Sequence, residues 1–189
     1  VNRKAGENVR RYVTLLRGIN VGGKNQVSMK ELKELFEENG FRDVVTYINS
    51  GNILFSSDHL DIEFLKKHCE ALISEKFNLE ISLMILPAEE LIKSLNNAPD
   101  WWDVDKESKH NAIFVIPPAT ADEICKEVGE PKPEYEKVAG CGQVIFWSAP
   151  LKTFSRTRWS RIVGTPAYNK ATIRNANTAK RLAELCRKL

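Results

Sequence analysis

Gly18-Ile-Asn-Val-Gly-Gly23-Lys24 fills the first seven positions of GxxxxGK, the pattern whose backbone amides cradle phosphate. The eighth position of that pattern supplies a hydroxyl to magnesium, and here it is Asn25. A working loop of this kind also runs straight into a helix whose free amides face the phosphate. In this chain the capping serine, Ser28, follows four residues after the lysine. No strand ends in the aspartate that would complete a metal site. The expectation is a glycine-rich turn without nucleotide hydrolysis.

Glycine still permits close backbone approach to a ligand. Arg17, Gly18, Asn20, Gly22, Gly23, Lys24 and Asn25 are candidate contacts to a small phosphorylated ligand, joined by Ser50, Gly51 and Asn52 from a turn on the same edge. The structural alternative is that the asparagines and serine make local turn bonds. A second candidate lies at the other end of the chain. Residues 151–189 hold ten Lys or Arg against the single Glu184, whereas 87–150 hold 6 basic and 12 acidic side chains and 1–86 hold 12 of each. Lys152, Arg156, Arg158 and Arg174, with Asn175, Asn177 and Thr178 placed to cap the final helix, form the candidate anion site. Phe154, Trp159 and Tyr168 lie nearby in sequence, so RNA or another polyanion is the expected partner. The structural alternative makes these cations a solvated face or a counterweight to the acidic middle segment.

Other chemistries are poorly served. Cys69, Cys125, Cys141 and Cys186 are far apart and form no CxxC pair, and the three histidines are scattered. The reading is a reducing, cytoplasmic compartment with no metal site. There is no GxSxG, no HExxH and no identifiable serine or cysteine triad, so no catalytic residue and no cofactor is assigned. No run approaches the roughly 20 apolar residues that span a bilayer, so no membrane partner is expected. Residues 1–10 read as a loose extension.

The elements that must position these residues repeat. Tyr12–Leu16 is a strand, and Ser28-Met-Lys-Glu31 has the spacing of a capping box. Gly40 ends that helix, with Phe41 placed to pack on Phe36. A hairpin turns at Asn49-Ser50-Gly51, and a helix, a strand (Ile81–Leu86) and a closing helix follow. About 91 residues on, the series returns: a strand (Asn111–Ile116), the box Thr120-Ala-Asp-Glu123, a helix end at Gly129, a hairpin turning at Gly142, and a helix over Leu151–Val163. A short strand and a closing helix complete it. The fold class expected is α+β, a tandem duplication of a ferredoxin-like βαββαβ unit, each copy with a trailing helix. The units run 11–97 and 110–189, joined by an acidic linker, 98–109, where Trp101 or Trp102 packs between them.

Leu15-Leu-Arg-Gly-Ile-Asn-Val-Gly-Gly23, Ser50-Gly51-Asn52 and Thr172-Ile-Arg-Asn175 with Thr178 together resemble a bacterial family known as domain of unknown function 1697. The resemblance spans residues 11–189. The chain departs from that family's pattern at Asn49, where glutamine often stands, and at Ala176, where an aromatic often does. The likeness implies the fold and the compartment and brings no catalytic residues. Function is expected to be that of a non-catalytic polyanion-binding module. A small-ligand enzyme or binder at the glycine-rich edge and a protein–protein interaction protein are the alternatives.

Overall fold

The computed structural model describes residues 9–188. The expected N-terminal extension lies outside the described residues up to position 8. Arg10 does not belong to it, because it opens the first strand and its guanidinium pairs with Glu89. The chain folds as a mixed α+β protein with two four-stranded antiparallel sheets. It divides into two compact units. One ends at Leu91 and takes in the chain's end from Leu185, and the other is Ile92–Glu184. The second unit therefore begins earlier than the expected boundary, and the stretch 98–109 is part of it.

In the first unit the order is β1 (Arg10–Leu16), α1 (Met29–Glu38), β2 (Arg42–Tyr47), β3 (Asn52–Ser57), α2 (Ile62–Phe77) and β4 (Leu83–Pro87), and α3 (Ala88–Asn96) begins in it and ends in the second. The sheet order is β2-β3-β1-β4. Side chains alternate across a strand, so Tyr12, Leu16, Ile53, Phe55, Leu83 and Ile85 share one face. There they pack with Leu32, Leu35 and Phe36 of α1 and Leu65, Cys69 and Ile73 of α2. Each fully buried aliphatic or aromatic side chain stabilises the unit by about 1.5–3 kcal/mol. The α1 start follows the sequence only in part. Ser28 Oγ accepts from the Glu31 amide at 3.3 Å, a single bond rather than a reciprocal box. The end is as expected: Gly40 has φ +86°, the Phe41 amide donates to Phe36 O at 3.2 Å, and the two rings lie 5.1 Å apart.

The second unit holds β5 (Ser108–Val115), α4 (Ala121–Val128), β6 (Lys137–Cys141), β7 (Val144–Pro150), β8 (Ala171–Asn175) and α5 (Ala176–Lys188) as far as Glu184, with sheet order β6-β7-β5-β8. α4 carries a full capping box, since Glu123 reaches back to the Thr120 amide at 2.8 Å. The expected helix over 151–163 is absent. Three short 3-10 segments, Leu151–Arg156, Trp159–Gly164 and Pro166–Lys170, take its place. Hydroxyl side chains compete here with the helical ladder. Thr157 Oγ1 donates to Phe154 O and Thr165 Oγ1 to Ile162 O, both at 2.7 Å, and Pro166 ends any continuation. Trp159 and Ile162 are buried as the apolar pattern required, but Leu151 and Val163 are exposed. No described helix is long and apolar enough to cross a membrane.

Candidate functional site

The glycine-rich edge is built as topology anticipated. Asn20 Nδ2 donates to Asn49 O at 2.9 Å, tying the β1–α1 loop to the β2–β3 turn. That side chain is fully used, because it also donates to Val27 O and accepts from the Val27 amide. Asn25 Nδ2 donates to Gly18 O at 2.9 Å. Asn52, completely buried, donates to Tyr47 O and to Ser50 Oγ. The Arg17 amide donates to Ser82 O. Gly18, Gly22, Gly23 and Lys24 are exposed along the loop. Gly51 is fixed by space: its φ is +74°, and a Cβ there would lie 2.7 Å from Leu16 Cβ and 2.8 Å from Ile19 Cδ1. The residues converge, and their polar atoms go largely to closing turns. The first amides of α1 lie beyond Ser28 rather than at the loop.

The cations of the candidate anion site divide into two places. Lys152, Arg156, Arg158 and Arg161 lie exposed along the 3-10 segments and ion-pair with no described residue. Their main chain is anchored by a buried carboxylate. Glu136 Oε1 accepts from the amides of Arg158 (2.7 Å) and Lys132 (3.1 Å). Its Oε2 accepts from the Trp159 amide and the Trp147 indole, both at 3.1 Å. The Arg156 guanidinium lies 5.8 Å from the centre of the Tyr135 ring. Arg158 lies against Gly129 at the C-terminus of α4, where a cation is favoured.

Arg174 does not join them. It lies on β8, at the sheet edge opposite β6, and is only 7 % exposed. Its Nη1 donates to Thr172 Oγ1 at 2.7 Å and to Ile173 O at 2.9 Å, and burial pulls its pKa down to about 10. An arginine so placed corrects the expectation of a single rim: period-two alternation turned its side chain to a covered sheet face. Asn175 caps α5 as expected, accepting from the Thr178 amide at 2.8 Å. Thr178 is buried, and Asn177 is exposed. Two other C-terminal cations reach the acidic middle segment. Lys170 pairs with Glu127, and Lys180 with Asp103 at 2.6 Å.

Sequence reasoning missed a polar cluster around β5. Asn175, Ala176 and Asn177 line a cleft of about 780 Å³ with Asp103, Asp105 and His110. A second cleft of about 270 Å³ shares His110 and Asp105 and adds Ser148, Tyr135 and Lys137. His110 is buried, and its Nδ1 is 2.6 Å from Ser148 Oγ and accepts the Asp103 amide at 3.0 Å. Its Nε2 faces Asp105 O at 2.9 Å. Trp102 packs inside this unit, its indole donating to Asn111 O and its ring 5.0 Å from Phe146. The available signal was alternation: extending the expected strand one residue toward the N-terminus brings His110 onto the face of Ala112 and Phe114. Among the described residues no group of three His, Cys, Asp or Glu could hold a metal ion.

Comparison with known proteins adds kinship without an activity. The family described as "Protein of unknown function (DUF1697)" matches residues 9–146. A solved structure, that of conserved bacterial protein SP0830 from Streptococcus pneumoniae, is similar at 31 % identity and a TM-score of 0.83, covering 94 % of this chain and 99 % of that one. No curated protein matches.

Proposed function

Since this chain belongs to the DUF1697 family, whose description carries no activity, we propose from its own residues that it is a binding module for a polyanion, RNA foremost. The observation that carries this reading is the acid-free run Leu151–Lys170. Lys152, Arg156, Arg158 and Arg161 stand exposed on it, on main chain that Glu136 holds in place. Cations kept unpaired on a fixed frame suit a phosphate backbone, which is bound with release of counterions. The half-buried Tyr135, with the Arg156 guanidinium 5.8 Å from its ring centre, gives a base an aromatic neighbour on which to stack. We further read the two units as copies of one ferredoxin-like βαββαβ unit. The shared strand order and the caps at Ser28 and Thr120 support this. The free thiols of Cys69, Cys125 and Cys186 favour a cytoplasmic setting.

The test is binding of a labelled single-stranded RNA, followed by fluorescence anisotropy over a salt series. Affinity should fall steeply with salt, by a log–log slope of roughly −0.7 per phosphate engaged. The double variant Arg156→Glu, Arg161→Glu should lower both affinity and slope while melting like the wild type. Wild-type protein without salt-dependent binding, or a folded double variant that binds equally well, overturns the reading.

A further inference from the structure

The loop that leads into β6 joins the basic run to the cleft of about 270 Å³. Tyr135 lines that cleft, and its ring centre lies 5.8 Å from the Arg156 guanidinium. Three residues earlier, Lys132 Nζ donates to Arg156 O at 2.9 Å, so the loop is bonded to the run itself. Trp101, Tyr135, Pro133 and Pro150 give the cleft flat apolar walls of the kind on which a planar ring stacks. Its volume falls just below the roughly 300 Å³ at which pockets for larger ligands begin, which suits a single heterocycle. The charge of its lining is opposite to that of the run. Asp105, Glu134 and Glu136 face it against one cation, Lys137, so phosphate is repelled there while a neutral base is not. Much of the polar lining is already spent. Glu136 takes four donors, His110 Nδ1 accepts the Asp103 amide, and His110 Nε2 faces Asp105 O. Glu134 and Lys137 are exposed, and among the described residues no hydrogen bond or ion pair uses their side chains.

We propose that this cleft receives one unpaired base of the bound strand and prefers guanine. The inference rests on the polyanion reading and adds a base preference to it. Single-stranded RNA is read on the edges of bases splayed out from the strand. Guanine alone sets two neighbouring donors, N1–H and N2–H, beside an acceptor, O6. A carboxylate offers two acceptor oxygens, so Glu134 takes both donors, and the Lys137 ammonium donates to O6. Hydrogen bonds with one charged partner are the stronger kind. The other bases meet the same pair badly. Uracil flanks its single N–H with two carbonyls, whose lone pairs oppose the carboxylate. Adenine and cytosine set one amino donor beside an unprotonated ring nitrogen, so the carboxylate gains one bond and faces a lone pair. Phosphates are thus held by the acid-free run, which positions the strand, and the acidic cleft supplies the base contact that specifies it.

The probes are a short labelled oligouridylate and the same strand with one guanosine at its centre, compared by fluorescence anisotropy over one salt series. The guanosine should tighten binding by about 10-fold, the scale of a single bidentate base contact, at an unchanged salt slope. An adenosine in that place stacks as well and should bring no comparable gain. Glu134→Gln should abolish the guanosine preference, although the lost acid favours oligouridylate binding. Glu134 is exposed, so this variant tests the cleft without disturbing the core. Trp101→Ala, checked by its melting curve, should remove the preference too. Steep salt-dependent binding with equal affinity for the uridine and guanosine strands overturns the guanine cleft and leaves the polyanion reading standing. So does an equal gain from adenosine, or a folded Glu134→Gln that still favours the guanosine strand. No salt-dependent binding to any strand sinks both.

Discussion

Single residues show where the sequence speaks directly. Gly51 was legible as a turn glycine, but its second constraint was not. The close approach of Leu16 and Ile19 depends on the register of β1 against β3, which local spacing does not reveal. Gly51→Ala therefore meets both a left-handed backbone and an overpacked contact, together about 2–4 kcal/mol. Gly142→Ala meets the backbone cost alone, about 1–2 kcal/mol, because nothing lies within 4 Å of its Cβ. Urea denaturation of the two variants side by side checks the difference. Cys69 offers a pH test. Burial in the first core pushes its thiol up to about 12. Its folded pKa lies above the unfolded one, so the stability it contributes is intact below about pH 8.5 and is lost as pH rises toward 12. The expected loss is about 1.4 kcal/mol per pH unit across that window. Cys69→Ala, less stable at neutral pH, should show a shallower alkaline decline.

Elements were legible where periodicity and punctuation agreed. α1 and α4 carry a cap at one end and a glycine at the other, and both lie close to where the sequence put them. The 151–170 stretch misled because its apolar spacing suits a helix while Thr157, Thr165 and Pro166 favour tighter turns. Trp159 and Ile162 are buried in either arrangement, so their pattern could not decide between them. Glu136 was unreadable for a different reason: a lone acid ahead of a strand gives no hint that four donors from three other segments will converge on it. Glu136→Ala should leave those donors without an acceptor and lower stability by at least about 3 kcal/mol, since each buried orphan costs about 1–3 kcal/mol. Glu136→Gln keeps one oxygen and should lose less. Chemical denaturation measures both, and an alanine variant as stable as the wild type refutes the anchoring role.

Across the whole molecule, charge was legible as composition but not as placement. The excess of cations after residue 150 is plain in the sequence, and the structure divides it four ways. Lys170 and Lys180 meet acids of the middle segment, Arg174 is buried on β8, Arg181, Arg187 and Lys188 lie on α5, and the 3-10 run keeps Lys152, Arg156, Arg158 and Arg161 exposed. The counterweight to the acidic middle segment thus accounts for Lys170 and Lys180. The His110–Ser148 contact was hidden by distance along the chain, since 38 residues separate partners that a sheet rung sets face to face. The family model ends at residue 146, before the basic run begins, whereas the similarity to the Streptococcus pneumoniae structure covers 94 % of the chain. Glu136 gives the run a frame that its charged side chains do not build. Its bonds to the run go to main-chain amides, and the guanidinium groups of Arg156, Arg158 and Arg161 take no part in them. The local path of the run therefore leans on Glu136, and its bonds survive a change of any one of these three side chains. Charge and shape on this surface are thus carried by different atoms, so one can be altered by mutation while the other stays.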